Sequence, residues 1–152
     1  MIRRGTVDDL NEMRELGKRF WESSLLEKAG LSLDDESCED FILNVMAAPK
    51  GMVLVAEDVN IFGCILGIIV PWMFNKNISV LTELGWFVTP EGRNNHPWAG
   101  VFLFKKLTQW GKREGATVIN SFSAIRGESE MVVDFYNNRG LVHMDSIFFG
   151  RI

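Results

Sequence analysis

The apolar residues near the start of the chain follow the 3.6-residue period of an α-helix. Within 6–23, the residues that share one helical face are Val7, Leu10, Met13, Leu16 and Phe20. Residues 1–5 before this segment predict a short strand, and 36–48 after it predict a second helix that ends before Pro49. The first third of the chain therefore predicts one strand followed by two helices.

The pattern changes at residue 51, where runs of branched apolar residues replace the helical spacing. A tight turn joins the first two of the strands predicted here, and a loop at 71–77 precedes the third. The segments that predict strands are 51–58, 61–70, 79–88, 117–123 and 141–152. The segments that predict helices are 97–114 and 128–140. The order β-α-α-β-β-β-α-β-α-β predicts an α/β fold with one mixed, mostly antiparallel sheet flanked by helices.

Composition and charge narrow the class of protein. A length of 152 residues is typical of one domain, and 47% apolar with 24% charged residues is ordinary for a globular chain. The formal charge of −4 argues against a nucleic-acid-binding surface, although it allows a local basic site for a small anion. We therefore expect a single domain over 1–152 that has no nucleic-acid partner.

The sequence also predicts a cytoplasmic protein that makes no contact with a membrane. Residues 1–10 lack the apolar core of a signal peptide, and the longest apolar stretch, 14 residues at 61–74, is too short to span a bilayer. Cys38 and Cys64 form neither a close pair nor part of a Cys/His cluster. That spacing predicts free thiols in a reducing compartment and no structural metal site.

The segment 85–100, GWFVTPEGRNNHPWAG, leads from the predicted third strand of this region into the predicted helix. Backbone N–H groups at the start of a helix attract anions, and the helix dipole adds to that attraction. Asn94 and Asn95 tolerate the conformations of an anion-binding nest, and Arg93 can bond a phosphate. The segment is therefore either a phosphate-binding turn or a plain connection with Arg93 in solvent.

From Val88 onward the sequence resembles the GNAT superfamily of N-acyltransferases, whose signature is a strand ending in Val-x-Pro-x-x-Arg followed by a glycine-rich turn and a helix. The residues that carry the resemblance are Val88, Pro90, Arg93, Trp110, Gly115, Ala116 and the run FYNNRGL at 135–141. His96 and Trp98 stand where the family has glycines. Small proteins of this kind occur in bacteria and in bacteriophages, so the resemblance is compatible with a bacteriophage-borne member.

The resemblance implies direct transfer of an acetyl group from acetyl-CoA, the cosubstrate, to an amine, without a metal. The acceptor would be an amine-bearing small molecule or a protein, and a homodimer is allowed. In the family's pattern Tyr136 protonates the departing thiolate and Glu83 accepts the proton of the amine. The cofactor-binding residues that the resemblance implies are Phe87, Val88, Arg93, Asn94, Asn95, Trp98, Ala99, Gly100, Asn120 and Ser129.

Structural interpretations of the same residues remain open. Tyr136, the only tyrosine, is a core residue if its role is to pack its ring. Glu83 is either a functional base or a solvated residue, because a buried carboxylate without partners is costly. Five aromatic residues are expected mostly in the core: Phe20, Trp21, Trp72, Phe74 and Trp86. For Trp21, Trp72 and Phe74, the alternative is that they line an acceptor pocket.

A second class of function is a GNAT-fold protein that no longer catalyses and acts as a binding or phage assembly component. The residues at 94–100, NNHPWAG, favour this class because they depart from the glycine-rich turn. The two histidines are weaker candidates for a functional role. His96 is expected in solvent, with contact to a phosphate as the alternative, and His143 has no second ligand at metal-binding spacing. Cys64 is expected to be a buried apolar side chain and not a nucleophile.

Overall fold

The computed structural model describes residues 1–24, 26–121 and 130–142. Its elements, in chain order, are β1 (Ile2–Arg4), α1 (Leu10–Ser23), α2 (Asp35–Ala47), β2 (Gly51–Glu57), β3 (Ile61–Trp72), β4 (Asn75–Val88), α3 (Pro90–Asn95), α4 (Ala99–Arg113), β5 (Val118–Asn120) and α5 (Glu130–Asn137). Short 3-10 turns precede α1 and α2, at Val7–Asp9 and Leu26–Ala29. Of the closing strand predicted at 141–152, residues 143–152 lie outside the described residues.

The five described strands form one sheet in the order β1-β2-β3-β4-β5. Strands β1 to β4 pair antiparallel with their neighbours, whereas β5 pairs parallel to β4. A parallel partner needs a crossover connection, and the segment with α3 and α4 supplies it. The predicted mixed, mostly antiparallel sheet flanked by helices is confirmed.

The sheet carries a hydrophobic layer on each face because its central strands alternate between the two. In β2, Val53 and Val55 pack against α1 and α2, while Leu54 and Ala56 pack against α4. The completely buried leucines of α4, Leu103 among them, fill the second layer. Helices therefore cover both faces, and β4 lies between the two layers.

The hairpin of β3 and β4 is longer than the sequence predicted. The predicted loop at 71–77 is mostly strand, since β3 continues to Trp72 and β4 begins at Asn75. Turn signals such as Pro71 and the asparagines suggested a loop, but the strand ladder extends past them into solvent. Trp72 and Phe74 are 41% and 83% exposed, so their expected place in the core is wrong.

An ion-pair network joins β1 to the start of α1 and to β2. The guanidinium of Arg3 donates to both carboxylate oxygens of Asp9, at 2.7 and 2.8 Å, and to Glu57 at 2.6 Å. Asp9 also accepts the backbone N–H of Thr6 at 2.7 Å and is only 7% exposed. These bonds, with that from Arg3 the strongest, lower the pKa of Asp9 from 3.8 to about 2.

Replacing Asp9 with asparagine is expected to lower the free energy of unfolding by about 2 kcal/mol at pH 7, because each pKa unit is worth about 1.4 kcal/mol. The folded state depresses the pKa of Asp9, so its contribution is complete above about pH 5 and is lost as the pH falls through 4 toward 2. Urea unfolding of wild type and variant at pH 7, 4 and 2.5 measures this convergence. The exposed neighbour Asp8, changed to asparagine, is the control, and a difference that does not shrink in acid would contradict the ion-pair explanation.

Candidate active site

Strand β4 contains a bulge that changes the direction of its side chains. Leu66 pairs with Gly85 and Gly67 pairs with Glu83, so Leu84 is an extra residue on β4. Leu81 and Val88 consequently belong to the same hydrophobic layer under α4, although regular alternation would place residues seven positions apart on opposite faces. Glu83, two residues after Leu81 and before the bulge, therefore shares the α4 face of the sheet with Leu81, whereas the bulge moves Phe87 to the opposite face.

The edge of β4 that faces β5 pairs with described residues along only part of its length, and we call the rest the unpaired edge. The parallel register joins Val80–Thr82 to Val118–Asn120. Past Thr82, β4 continues to Val88, and no described residue of β5 pairs with it there. An extended ligand arm can bond backbone groups along such an edge, as the resemblance implied for Phe87 and Val88.

Glu83 lies beside the start of this unpaired edge and is buried. It is 1% exposed, so the interpretation of Glu83 as a solvated surface residue is wrong. The hydroxyl of Ser121, just after β5, donates a hydrogen bond to Oε2 of Glu83. A carboxylate that is buried and accepts a hydrogen bond from a hydroxyl group is a candidate general base.

Tyr136 on α5 joins the same group of side chains. Its hydroxyl lies 3.0 Å from Oγ of Ser121. Ser121 carries a single hydroxyl hydrogen, so when it donates to an ionised Glu83 the Tyr136 hydroxyl is the donor to Ser121. Glu83, Ser121 and Tyr136 therefore form one hydrogen-bonded chain, which we call the Glu83–Ser121–Tyr136 chain.

The ring of Tyr136 is half-buried in an aromatic cluster. Its centroid lies 6.3 Å from that of Trp86, 5.8 Å from that of Phe104 and 5.5 Å from that of Phe135. The ring of Tyr136 thus packs among aromatic side chains as the structural interpretation predicts, while the hydroxyl contact that the structure describes is to the side chain of Ser121. The packing fixes the ring and so holds the hydroxyl next to Ser121.

The segment between β4 and α4 is more helical than the sequence predicted. Residues Pro90–Asn95 form α3, and α4 begins at Ala99 instead of at residue 97. The side chain of Thr89 accepts the backbone N–H of Gly92 at 3.0 Å, and Pro90 occupies the first helical position. Thr-Pro-Glu is a helix-start signal, and it predicts α3 once it is recognised.

The first turn of α4 offers unpaired backbone donors. Ala99 donates to the carbonyl of His96 at 2.9 Å, and Phe102 donates to that of Trp98 at 3.0 Å. Among the described residues, no backbone carbonyl accepts from the N–H groups of Gly100 and Val101. Such free donors at a helix start suit a phosphate group.

Gly100 also allows β4 and α4 to approach each other closely. A Cβ at this position would lie 3.2 Å from the indole ring of Trp86, which leaves little room for a side chain. Glycine at this position therefore serves both the packing of Trp86 and the access of a ligand to the backbone. Ala99 beside it is buried, 7% exposed, and packs in the layer under α4.

The two large side chains that stand where the GNAT signature has glycines, His96 and Trp98, have different surroundings. The ring of His96 stacks on Phe62, with centroids 4.6 Å apart, and its Nε2 lies 2.9 Å from Oδ2 of Asp58. Trp98 is 66% exposed. His96 is thus bound to the β2–β3 turn, contrary to the expectation of a solvated loop histidine, and Trp98 extends into solvent.

The other predicted cofactor-binding residues lie at varied places. Arg93 and Asn94 are exposed on α3, while Asn95 lines a cavity of about 250 Å3 beside the β2–β3 turn. Asn120 is exposed at the end of β5, and Ser129 lies outside the described residues. The structure therefore brings Glu83 together with Tyr136 through Ser121, whereas Arg93 and Asn94 are exposed on α3.

The remaining chemical candidates are inert or lie elsewhere. Cys64 is buried, and this burial raises the pKa of its thiol to about 12, which argues against a nucleophilic role. In the described ranges, no group of three or more His, Cys, Asp or Glu side chains is placed to hold a metal ion. The described helices include none that is both long and apolar enough to cross a bilayer. His143 lies outside the described residues.

Three solved structures that share this fold show what it can host. The aminoglycoside N-acetyltransferase AAC(6')-Iy, in complex with the bisubstrate analog CoA-S-monomethyl-acetylneamine, has a TM-score of 0.74 at 17% identity, over 100% of this chain and 97% of that chain. A predicted acetyltransferase from Clostridium acetobutylicum with acetyl-CoA has a TM-score of 0.71 at 16% identity, over 97% and 93%. A transcriptional regulator from Bacillus halodurans has a TM-score of 0.76 at 15% identity, over 100% and 99%.

These similarities establish the fold as that of the GNAT acetyltransferases. Comparison with protein-family models gave no match, and comparison with curated proteins gave none either.

Proposed function

We propose that the protein is a GNAT-superfamily N-acetyltransferase that moves an acetyl group from acetyl-CoA directly to an amine. The observation that carries this proposal is the Glu83–Ser121–Tyr136 chain at the unpaired edge of β4. It combines a buried carboxylate with a phenol, and these are the groups that an amine and a departing thiolate require.

Each residue of the chain has a role in the proposed reaction. The neutral amine nitrogen forms a bond to the acetyl carbon while the carbon–sulfur bond breaks, and Glu83 takes the proton that this nitrogen loses. Tyr136 gives its proton to the thiolate. Ser121 returns the proton, because it can accept from Glu83 while it donates to the Tyr136 oxygen, and the starting protonation states are restored.

Cosubstrate binding is assigned to β4 and α4. The backbone of Phe87 and Val88 lies on the part of β4 beyond its pairing with β5, where a pantetheine arm can bond it. The free N–H groups of Gly100 and Val101 would hold the pyrophosphate, with the dipole of α4 adding to the attraction. The predicted contacts of Arg93, Asn94 and Trp98 remain proposals, because these side chains are exposed.

A cationic amine is the favoured acceptor. The acidic charge of −4 attracts cations, and the AAC(6')-Iy structure contains an acetylated aminoglycoside portion in its ligand. Aminoglycosides and polyamines are therefore the first compounds to screen, with thiol release as the readout.

The alternative function is that of a GNAT-fold binding protein without catalysis. The exposed aromatic side chains Trp72, Phe74 and Trp98 favour it, since large exposed apolar groups often mark protein interfaces. The similarity to a transcriptional regulator shows that this fold is not restricted to one kind of protein.

Acetyl-CoA is expected to raise the melting temperature of the protein. At a concentration of 100 times Kd the gain is about 2.7 kcal/mol, which corresponds to roughly 5–10 °C for a chain of this size. Differential scanning fluorimetry measures it, with a short acetyl thioester that lacks the nucleotide as the matched control. An unchanged melting temperature at millimolar acetyl-CoA would favour the alternative function.

A further inference from the structure

A cavity of about 290 Å3 lies between β1, β2 and the C-terminal half of α4. Its wall carries four cations and three apolar side chains, namely Arg3, Arg4, Lys106, Arg113, Met52, Leu54 and Trp110. No carboxylate is among its described lining residues, although the chain as a whole has a charge of −4. We call this feature the basic cavity, because positive charge is concentrated there in an otherwise acidic protein.

The secondary structure places these residues on facing surfaces. Lys106, Trp110 and Arg113 follow each other at intervals of four and three residues, so they lie on one face of α4. Arg4 pairs with Leu54 across β1 and β2, and cross-strand partners project on the same face of a sheet. Leu54 and Trp110 belong to the same buried layer, so this face is the one that α4 covers.

The charges in the basic cavity are not neutralised by the protein. Arg3 also contributes to the wall, but its guanidinium is bound to Asp9 and Glu57. Lys106 donates one N–H to the carbonyl of Ile2 at 2.7 Å, and an ammonium group retains two further donors. Arg4 and Arg113 make no ion pair with any described residue.

We propose that the basic cavity binds a phosphorylated small molecule. Guanidinium groups present paired N–H donors that match phosphate oxygens, and Lys106 adds a point charge. Met52, Leu54 and the edge of Trp110 provide an apolar wall for the organic part of such a ligand. The bonds from Lys106 to β1 and from Arg3 to Asp9 hold the wall in place before the ligand arrives.

This site is separate from the proposed cosubstrate site at the start of α4. Arg113 is the last residue of that helix and Ala99 the first, which places them about 21 Å apart along its axis at ~1.5 Å per residue. The basic cavity also borders β1 and β2, at the opposite end of the sheet from β5. The proposal therefore does not depend on the acetyltransferase activity.

Two double variants with the same charge change test the proposal. Lys106→Gln with Arg113→Gln removes two cations from the basic cavity, whereas Lys105→Gln with Lys112→Gln removes two exposed cations of α4 outside it. Calorimetric titration with inorganic pyrophosphate, with and without saturating coenzyme A, is expected to show binding that coenzyme A does not displace. The first variant should weaken this binding at least about tenfold and the second less than about twofold.

NMR signals of the tryptophan indole N–H groups show where the anion binds. Pyrophosphate is expected to shift the signal of Trp110, assigned with Trp110→Phe, while Trp98 at the other end of α4 reports on the cosubstrate site. Equal weakening in the two double variants, a shift of Trp98 alone, or tighter binding of citrate than of pyrophosphate would overturn the proposal, as would no binding at all. If the first double variant does not fold, Arg113→Gln and Lys112→Gln repeat the comparison.

Discussion

Replacing Glu83 with glutamine is expected to lower kcat for acetyl transfer by about 10²–10⁴-fold. Glutamine has the size of glutamate and keeps an oxygen that can accept the Ser121 hydrogen bond, so the side chain retains its position. It cannot take a proton from the amine. Because Glu83 is proposed to act in the chemical step, acetyl-CoA binding should change little while turnover falls.

The control for this variant is Glu114→Gln, which removes one exposed carboxylate far from the site. Turnover is measured by thiol release with the best acceptor amine, and acetyl-CoA binding by the melting-temperature shift. A Glu83→Gln variant that binds acetyl-CoA and keeps turnover within about threefold of wild type would remove Glu83 from the mechanism. The buried carboxylate would then have a structural role only.

The sequence predicts the elements of the fold because their signals are local. Helical spacing predicts α1. The runs of branched residues predict β2 and β3, which are buried on both faces of the sheet. The bounds of these elements depend on capping residues, and α3 begins at the Thr89–Pro90 signal within a segment that otherwise has the composition of a loop. Local rules, applied completely, thus account for most of the architecture.

The environment of Glu83 could not be predicted in the same way. Regular alternation would place Leu81, Glu83 and Phe87 on one face, but Phe87 packs against α1 and α2 while Leu81 packs under α4. The bulge at Leu84 causes this reversal, and its position depends on pairing with β3. Both interpretations of Glu83, the solvated residue and the functional base, were therefore compatible with the sequence until its burial was known.

The partners of the candidate site are also far apart in sequence. Ser121 lies 38 residues from Glu83 and 15 from Tyr136, and only the folding of β5 and α5 beside β4 brings them together. The family resemblance pointed to Glu83 and Tyr136 separately but gave no reason to connect them. Likewise, no local pattern predicts that His96 stacks on Phe62 and bonds Asp58.

Replacing Gly51 with alanine is expected to destabilise the protein by about 3 kcal/mol or more, one of the largest effects of any single methyl group in this chain. A Cβ at Gly51 would lie 1.9 Å from the backbone oxygen of Val45 and 3.0 Å from Cβ of Ala48. The obstacle is backbone at the end of α2, so no side-chain rotation relieves it. Either α2 or the start of β2 must move, and both carry part of the buried layer.

The matched control is Gly85→Ala, also in a strand of the same sheet. A Cβ there would meet only Cδ1 of Leu66, at 4.0 Å, which is ordinary van der Waals contact. Gly85→Ala should change the free energy of unfolding by less than about 1 kcal/mol, because it adds no clash and restricts the unfolded chain. Urea unfolding of both variants measures the difference. Equal stabilities would show that the connection between α2 and β2 is free to move, and the tight approach at Gly51 would then have no energetic consequence.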